Sequence, residues 1–143
     1  MSGDQQFTIG KLSRLSGVAI ETIRYYERIG LMPRLPRTEG GRRAFGPDNL
    51  ATLSFIKRCR ELGFSLDDIR ALLALRASEP RCADVRSIAS RHLQAVRAKL
   101  HTLSEIELSL SALVTRCTGD AGAECAVLEA LDPACCARPR PPA

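Results

Sequence analysis

The 143-residue chain has no tryptophan, and only 4% of its residues are aromatic. So few rings exclude a single-strand nucleic-acid binder built on base stacking. No apolar run is long enough to span a membrane. The opening MSGDQQFTIGKL lacks the apolar core of an uncleaved signal, which predicts a cytoplasmic location. No nucleophile–base pair and no two-carboxylate site can be read, and the two histidines, His92 and His101, fall on one helical stretch. Each reads as solvated or packed rather than catalytic, so no enzyme is expected. Six cysteines in a cytosolic chain point away from a disulfide framework and toward metal or redox use.

The net charge of +5 is unevenly placed. Residues 1–76 carry 13 Lys/Arg against 8 Asp/Glu, whereas residues 77–143 carry 8 of each. The basic excess therefore belongs to the first half, where a polyanion would dock.

Thr8 opens a first helix with Ile9, Leu12 and Leu15 on one face, and Gly17 closes it. Ala19 to Ile29 forms a second, with Ile20, Ile23 and Ile29 inward and Gly30 placed to cap it. Two short helices about a glycine-containing turn make a helix-turn-helix pattern; the other reading is a plain helical hairpin with solvated charges. In the DNA-binding reading the second helix offers Thr22, Arg24, Tyr25, Tyr26 and Arg28 to phosphates and base edges.

Residues 33–45, PRLPRTEGGRRAF, cannot be helical, because Pro33, Pro36 and Gly40-Gly41 break the pattern. Short arms about the Gly-Gly turn predict a hairpin, or wing, carrying Arg34, Arg37, Arg42 and Arg43. Such a wing would hold the DNA backbone beside the groove. A third helix runs from Pro47 to about Leu62, with Leu50, Leu53, Ile56 and Cys59 in helical period and Lys57, also a candidate DNA contact, on another face. Cys59 reads as a small core residue. Gly63 ends this helix and Ser65 caps a fourth, to about Arg76, burying Leu66, Ile69, Leu72, Leu73 and Leu75.

Asp84 to Arg116 contains neither glycine nor proline and predicts one long helix. Leu93, Val96, Leu100, Leu103, Leu110 and Val114 fall on a 3-4 spacing, broken by Glu107. That is a seam of the coiled-coil kind, and a lone helix has nowhere to bury it. Cys82 stands just before the helix and Cys117 just after, five heptads apart. At ~1.5 Å per residue that is roughly 50 Å, so one chain cannot bring both thiolates to one ion. An antiparallel homodimer could set Cys82 of one chain beside Cys117 of the other, with Cys125 folding back as a third ligand. The competing reading is a dimerisation helix with incidental thiols.

After Cys117 comes the loop TGDAGAE, then a short helix, Ala126 to Leu131, presenting Val127, Leu128 and Leu131. The tail DPACCARPRPPA reads as disordered, with Cys135 and Cys136 either accessory ligands or exposed thiols. The expected organisation is mainly α. A winged helix-turn-helix domain (1–76) precedes a linker and dimerisation helix (77–116), a metal-binding loop and short helix (117–132), and a tail (133–143).

TIGKLSRLSGVAIETIRYYERIGLMP, then GGRRAFGPDNL, then RELGFSLDDIRALLAL, followed by a long helix and a cysteine loop, resemble the MerR family of transcription regulators over residues 7–132. ETIRYYERIGL followed by LGFSLDDI is specific to this family. The family usually has Tyr-Arg where this chain has Arg42-Arg43, and a tyrosine where it has Phe45. The resemblance implies a homodimer on double-stranded promoter DNA with an unusually long spacer. Effector binding bends and underwinds that DNA, aligning the elements read by RNA polymerase. Cys82, Cys117 and Cys125 match the ligand positions of the branch that senses divalent thiophilic metals: mercury, cadmium, lead or zinc. Copper(I) sensors resemble the chain in the cysteine loop and vicinal tail cysteines but carry serine where Cys82 stands. A third thiolate suits a divalent ion, two a linear monovalent one. The expected role is activation of a metal-resistance or efflux operon, with a copper(I)-type or redox-responsive regulator as the alternative. The family's iron–sulfur branch needs cysteines more closely grouped than Cys117 and Cys125. Its drug-binding branch needs a further ligand domain.

Overall fold

Among the described residues glycines and prolines separate six helices, in the order α1 (Ile9–Ser16), α2 (Ile20–Arg28), α3 (Pro47–Glu61), α4 (Leu66–Ala77), α5 (Cys82–Arg116) and α6 (Ala126–Leu131). The structure, a computed structural model, describes residues 6–35, 39–41, 44–79, 81–117, 119 and 125–132. It divides into two units, Met1–His92 and Leu93–Ala143. No helix is long and apolar enough to cross a membrane among the described residues.

Local chemistry fixes the ends of the helices in the first unit. The Thr8 hydroxyl accepts from the Lys11 N–H at 3.2 Å, and Ser65 accepts from Asp68 N–H at 3.1 Å, so α1 and α4 start with hydroxyl caps. Pro47 begins α3, where its missing N–H costs no helical bond. After α2, Gly30 adopts φ 74°, its N–H donates to the Glu27 carbonyl, and Leu31 N–H donates to Tyr26. That paired pattern closes the helix with a left-handed residue, which glycine adopts at least cost. The same pattern ends α3 through Gly63 and Phe64.

The core of this unit joins Leu12 of α1, Ile23 and Tyr26 of α2, Leu53, Ile56 and Cys59 of α3, and Ile69 and Leu72 of α4 with Phe7, Met32 and Phe45. Phe7 and Phe45 exchange two backbone hydrogen bonds, 2.7 and 2.9 Å, as an isolated antiparallel bridge. Among the described residues this is the one strand-like pairing of the predicted wing segment. Leu15, on the same face in the sequence reading, is 53% exposed. The inward face of α1 is completed by Ser16, whose hydroxyl donates to the Leu12 carbonyl at 2.7 Å and accepts from Val18 N–H at 3.2 Å.

Helix α5 starts at Cys82 itself, two residues earlier than expected. Val85 and Ile88, in its first turns, pack against the core of the first unit. In the second unit α5 runs on from Leu93 with no buried residue, and Leu93, Leu100, Leu103, Ile106, Leu110 and Val114 are all exposed.

Candidate nucleic-acid interface and metal centre

Helix α2 sorts its residues by phase. Ile23, Tyr26 and Glu27 face inward and are buried. Arg24, Tyr25 and Arg28 stand on the exposed face, with Thr22 half-buried beside them. Tyr26, grouped with the DNA-facing residues from sequence, is thus a core residue at 7% exposure. Its spacing of three from Ile23 is the signal that separates it from Tyr25. Arg24 makes an i, i+3 pair with Glu21 at 3.4 Å, both ends exposed. Such a pair contributes little and leaves the guanidinium free to exchange its partner for a phosphate. The Arg28 guanidinium lies 5.8 Å from the centre of the Tyr25 ring. Arg34 is exposed after α2; Arg37, Arg42 and Arg43 lie outside the described residues.

Three long-range contacts, none legible in the sequence, hold the ends of the first three helices. The Lys57 ammonium donates to the Ser16 carbonyl at the end of α1, at 3.2 Å. Arg70 Nη2 donates to the Ile29 carbonyl at the end of α2, at 2.9 Å. His92 Nε2 lies 2.8 Å from the Leu62 carbonyl at the end of α3. Helix C-termini carry partial negative charge and unpaired carbonyls, so donors of this kind are placed where they act best. Lys57, read from sequence as a DNA contact, therefore has an internal task as well.

The thiols differ by environment. Cys59 is buried in the core, and burial pushes its thiol above the ordinary range. Cys82 and Cys117 are exposed, and Cys125 is half-buried as the residue that leads into α6. No cap bond of regular geometry forms from the Cys125 side chain. Even so, its thiol is held below the ordinary range, chiefly by the backbone N–H groups of Leu128 and Val127 and less by the Cys117 side chain, against desolvation and the Glu129 charge. Cys117 and Cys125 are separated by seven residues in sequence, and the Cys117 side chain is a lesser contributor to lowering the Cys125 thiol. Among the described residues of one chain, no three His, Cys, Asp or Glu side chains converge. Cys135 and Cys136 lie outside the described residues. The Cys117–Cys125 donor set fits a soft ion, and thiolates stabilised by N–H groups are suited to hold one.

A helix-turn-helix with an exposed basic second helix defines a DNA-binding regulator. A model of the MerR HTH regulatory proteins matches residues 7–75, and one described as MerR, DNA binding, matches residues 50–113. The chain belongs to the MerR family, whose members here are transcription regulators and not enzymes. It is 38% identical over 122 residues to heavy metal-dependent transcription regulator 2 of Rhizobium meliloti, covering 85% of this chain and 83% of the relative. It is 39% identical over 128 residues to a mercuric resistance operon regulatory protein of Bacillus cereus, covering 88% and 97%. A crystal structure of a transcription regulator from Ralstonia metallidurans in complex with lead(II) superposes with a TM-score of 0.77 at 35% identity, covering 88% of this chain and 99% of that one.

Proposed function

We propose that the chain is a metal-responsive regulator that acts as a homodimer on promoter DNA. The observation that carries the reading is the Cys125 thiol at the start of α6, lowered chiefly by backbone N–H groups with help from the Cys117 side chain. A third thiolate, from Cys82 of the partner subunit, completes a site for a divalent thiophilic ion such as mercury, cadmium, lead or zinc. The exposed seam of α5 supports pairing, because an apolar stripe of that length is stable only when covered.

Within the dimer, Thr22, Arg24, Tyr25 and Arg28, with Arg34 and the arginines at 37, 42 and 43, bind each half of the operator. Occupied sites favour the dimer form that bends and underwinds the spacer, and RNA polymerase then engages both of its elements. The metal supplies differential binding energy between the two forms; the protein supplies position.

The shared site is tested by mixing protomers. A Cys82→Ser chain and a Cys117→Ser/Cys125→Ser chain each lack a complete site as homodimers, but their heterodimer retains one. The absorption of a three-thiolate site appearing only on mixing supports the reading; three-thiolate absorption in either parent, or none in the mixture, refutes it. A second reading, a copper(I) regulator, needs only two thiolates. It predicts full response in Cys82→Ser.

A further inference from the structure

The first three turns of α5 belong to the DNA-binding unit. Val85, Ile88 and His92 recur at i, i+3 and i+7 and so share one face of the helix. Val85 and Ile88 pack on the core, and the His92 ring stacks on Phe64 with centroids 4.2 Å apart and planes 29° apart. His92 Nε2 is 2.8 Å from the Leu62 carbonyl, so with the proton on Nε2 it donates to the last turn of α3. Beside it, Arg91 Nη2 donates to Asp68 Oδ1 at 2.7 Å, where the Asp68 side chain is 21% exposed. Asp68 lies in the first turn of α4, its own N–H bound by Ser65 Oγ.

One helix thus grips both sides of the α3–α4 turn with two adjacent side chains. The turn is fixed in shape, because Gly63 at its centre has φ 83° and closes α3. A Cβ at Gly63 would sit 3.7 Å from His92 Cε1 and Nε2, so the imidazole lies in ordinary contact over the glycine. The polarity is complementary: a donor meets the carbonyl end of α3, and a cation meets the carboxylate at the start of α4.

We infer that Arg91 and His92 are the positioning residues that fasten the long helix to the DNA-binding unit. They hold the first three turns of α5 against α3 and α4, so a displacement of those turns is passed to α3 and α4. Apolar contacts at Val85 and Ile88 set the docking area, while the two directional bonds set the angle. The transmission part of the inference rests on the metal-responsive reading above; the joint itself does not.

Two measurements on the full-length protein test it. The first uses no metal: hydrogen exchange at the Gly63 and Phe64 amides in wild type and in Arg91→Ala/His92→Ala. Exchange faster by about tenfold at these amides, with the Leu12 and Gly17 amides unchanged, is expected. Unchanged exchange at Gly63 and Phe64, or a rise shared by every helix, overturns the joint. The second compares induction of a promoter reporter by the effective metal. The double variant should keep metal stoichiometry and metal-free operator affinity within about threefold yet lose about tenfold in induction ratio, and Arg91→Lys/His92→Lys should restore it. Full induction in the alanine variant, or a loss of operator affinity in step with induction, overturns the transmitting role. A wild type silent to every metal refutes the metal-responsive reading, and with it the transmitting role, while the exchange measurement still decides the joint.

Discussion

Arg70 Nη2 donates to the carbonyl oxygen of Ile29 at 2.9 Å, joining α4 to the end of the exposed basic helix across 41 positions. The same guanidinium pairs with Asp67 at 3.4 Å, one turn back on its own helix. Arg70 therefore acts on α2 from outside it, and α2 is the helix offered to DNA.

Removing that contact should be felt in two ways. Arg70→Ala leaves the Ile29 carbonyl without its side-chain donor, which costs about 1 kcal/mol of stability. Operator affinity should fall by about fivefold, because α2 loses an anchor at one end. The salt dependence of binding should stay as in wild type, since Arg70 is not placed against phosphate. Urea unfolding and fluorescence anisotropy at several salt concentrations check the three expectations; a reduced salt slope would move Arg70 onto the DNA.

Arg24 makes the opposite case. It is exposed, and its weak pair with Glu21 is easily exchanged. Arg24→Ala should leave stability nearly unchanged and reduce the slope of log affinity against log salt by about one. Anisotropy titrations across the same salt series provide the measurement, and an undiminished slope would take Arg24 off the phosphates.

Gly17 tests the Lys57 cap. Its φ of 68° is left-handed, and a Cβ built there would lie 2.7 Å from Lys57 Nζ. Gly17→Ala should therefore destabilise the protein by about 1–2 kcal/mol from backbone conformation, with a further loss as the ammonium is pushed off the Ser16 carbonyl. In a Lys57→Met background the same substitution should cost less, because only the backbone part remains. A urea-denaturation cycle over the four proteins measures the difference; equal costs in both backgrounds would deny Lys57 its capping role.

Much of this fold was legible because its boundaries are chemical. Gly17, Gly30, Gly63, Pro47 and Ser65 mark helix ends wherever they occur, and the structure ends its helices there. The apolar period placed Leu12, Ile23, Leu53, Ile56, Cys59, Ile69 and Leu72 in one core. What escaped was long-range and polar. Lys57, Arg70 and His92 look like solvated or DNA-facing groups in a sequence, since their carbonyl partners lie 41, 41 and 30 positions away. Backbone acceptors carry no residue code. The docking of Val85, Ile88 and His92 escaped for a related reason: the longer seam from Leu93 onward dominates the periodicity of that helix. At the candidate metal centre, the cysteine positions could be read, but the N–H groups that tune Cys125 could not.

The joint at Asp68 should persist well into acid. The hydrogen bond from Arg91, then that from Ser65, hold the Asp68 carboxyl below the usual carboxylate range. A carboxylate depressed in the folded state stabilises it at any pH above the unfolded value of about 3.9, and that contribution is lost as pH falls through the lower folded value. A carbon-detected NMR titration should give Asp68 a midpoint below about 3.9, and Arg91→Ala should raise it. A midpoint unmoved by Arg91→Ala would assign the depression to Ser65 alone and weaken the case for the clamp.

Cys125 carries the clearest pH prediction. Its thiol is held below the ordinary range chiefly by Leu128 and Val127 N–H groups, then by Cys117, whereas burial holds Cys59 above it. Thiolate is the reactive form, so alkylation of Cys125 in the metal-free protein should reach half its maximal rate below the ordinary thiol value of about 8.5. Cys59 should stay slow until the protein unfolds. Cys117→Ser should raise the Cys125 midpoint only modestly, because the backbone donors remain. In urea the two cysteines should react with one common profile. Metal binding follows the same sign: protons leave as the ion enters, so affinity climbs with pH up to the thiol midpoints and then levels off. Site-resolved mass spectrometry of iodoacetamide-treated protein across a pH series reads every arm. A Cys125 profile matching that of the unfolded chain would mean that the α6 amides do not act on its sulfur.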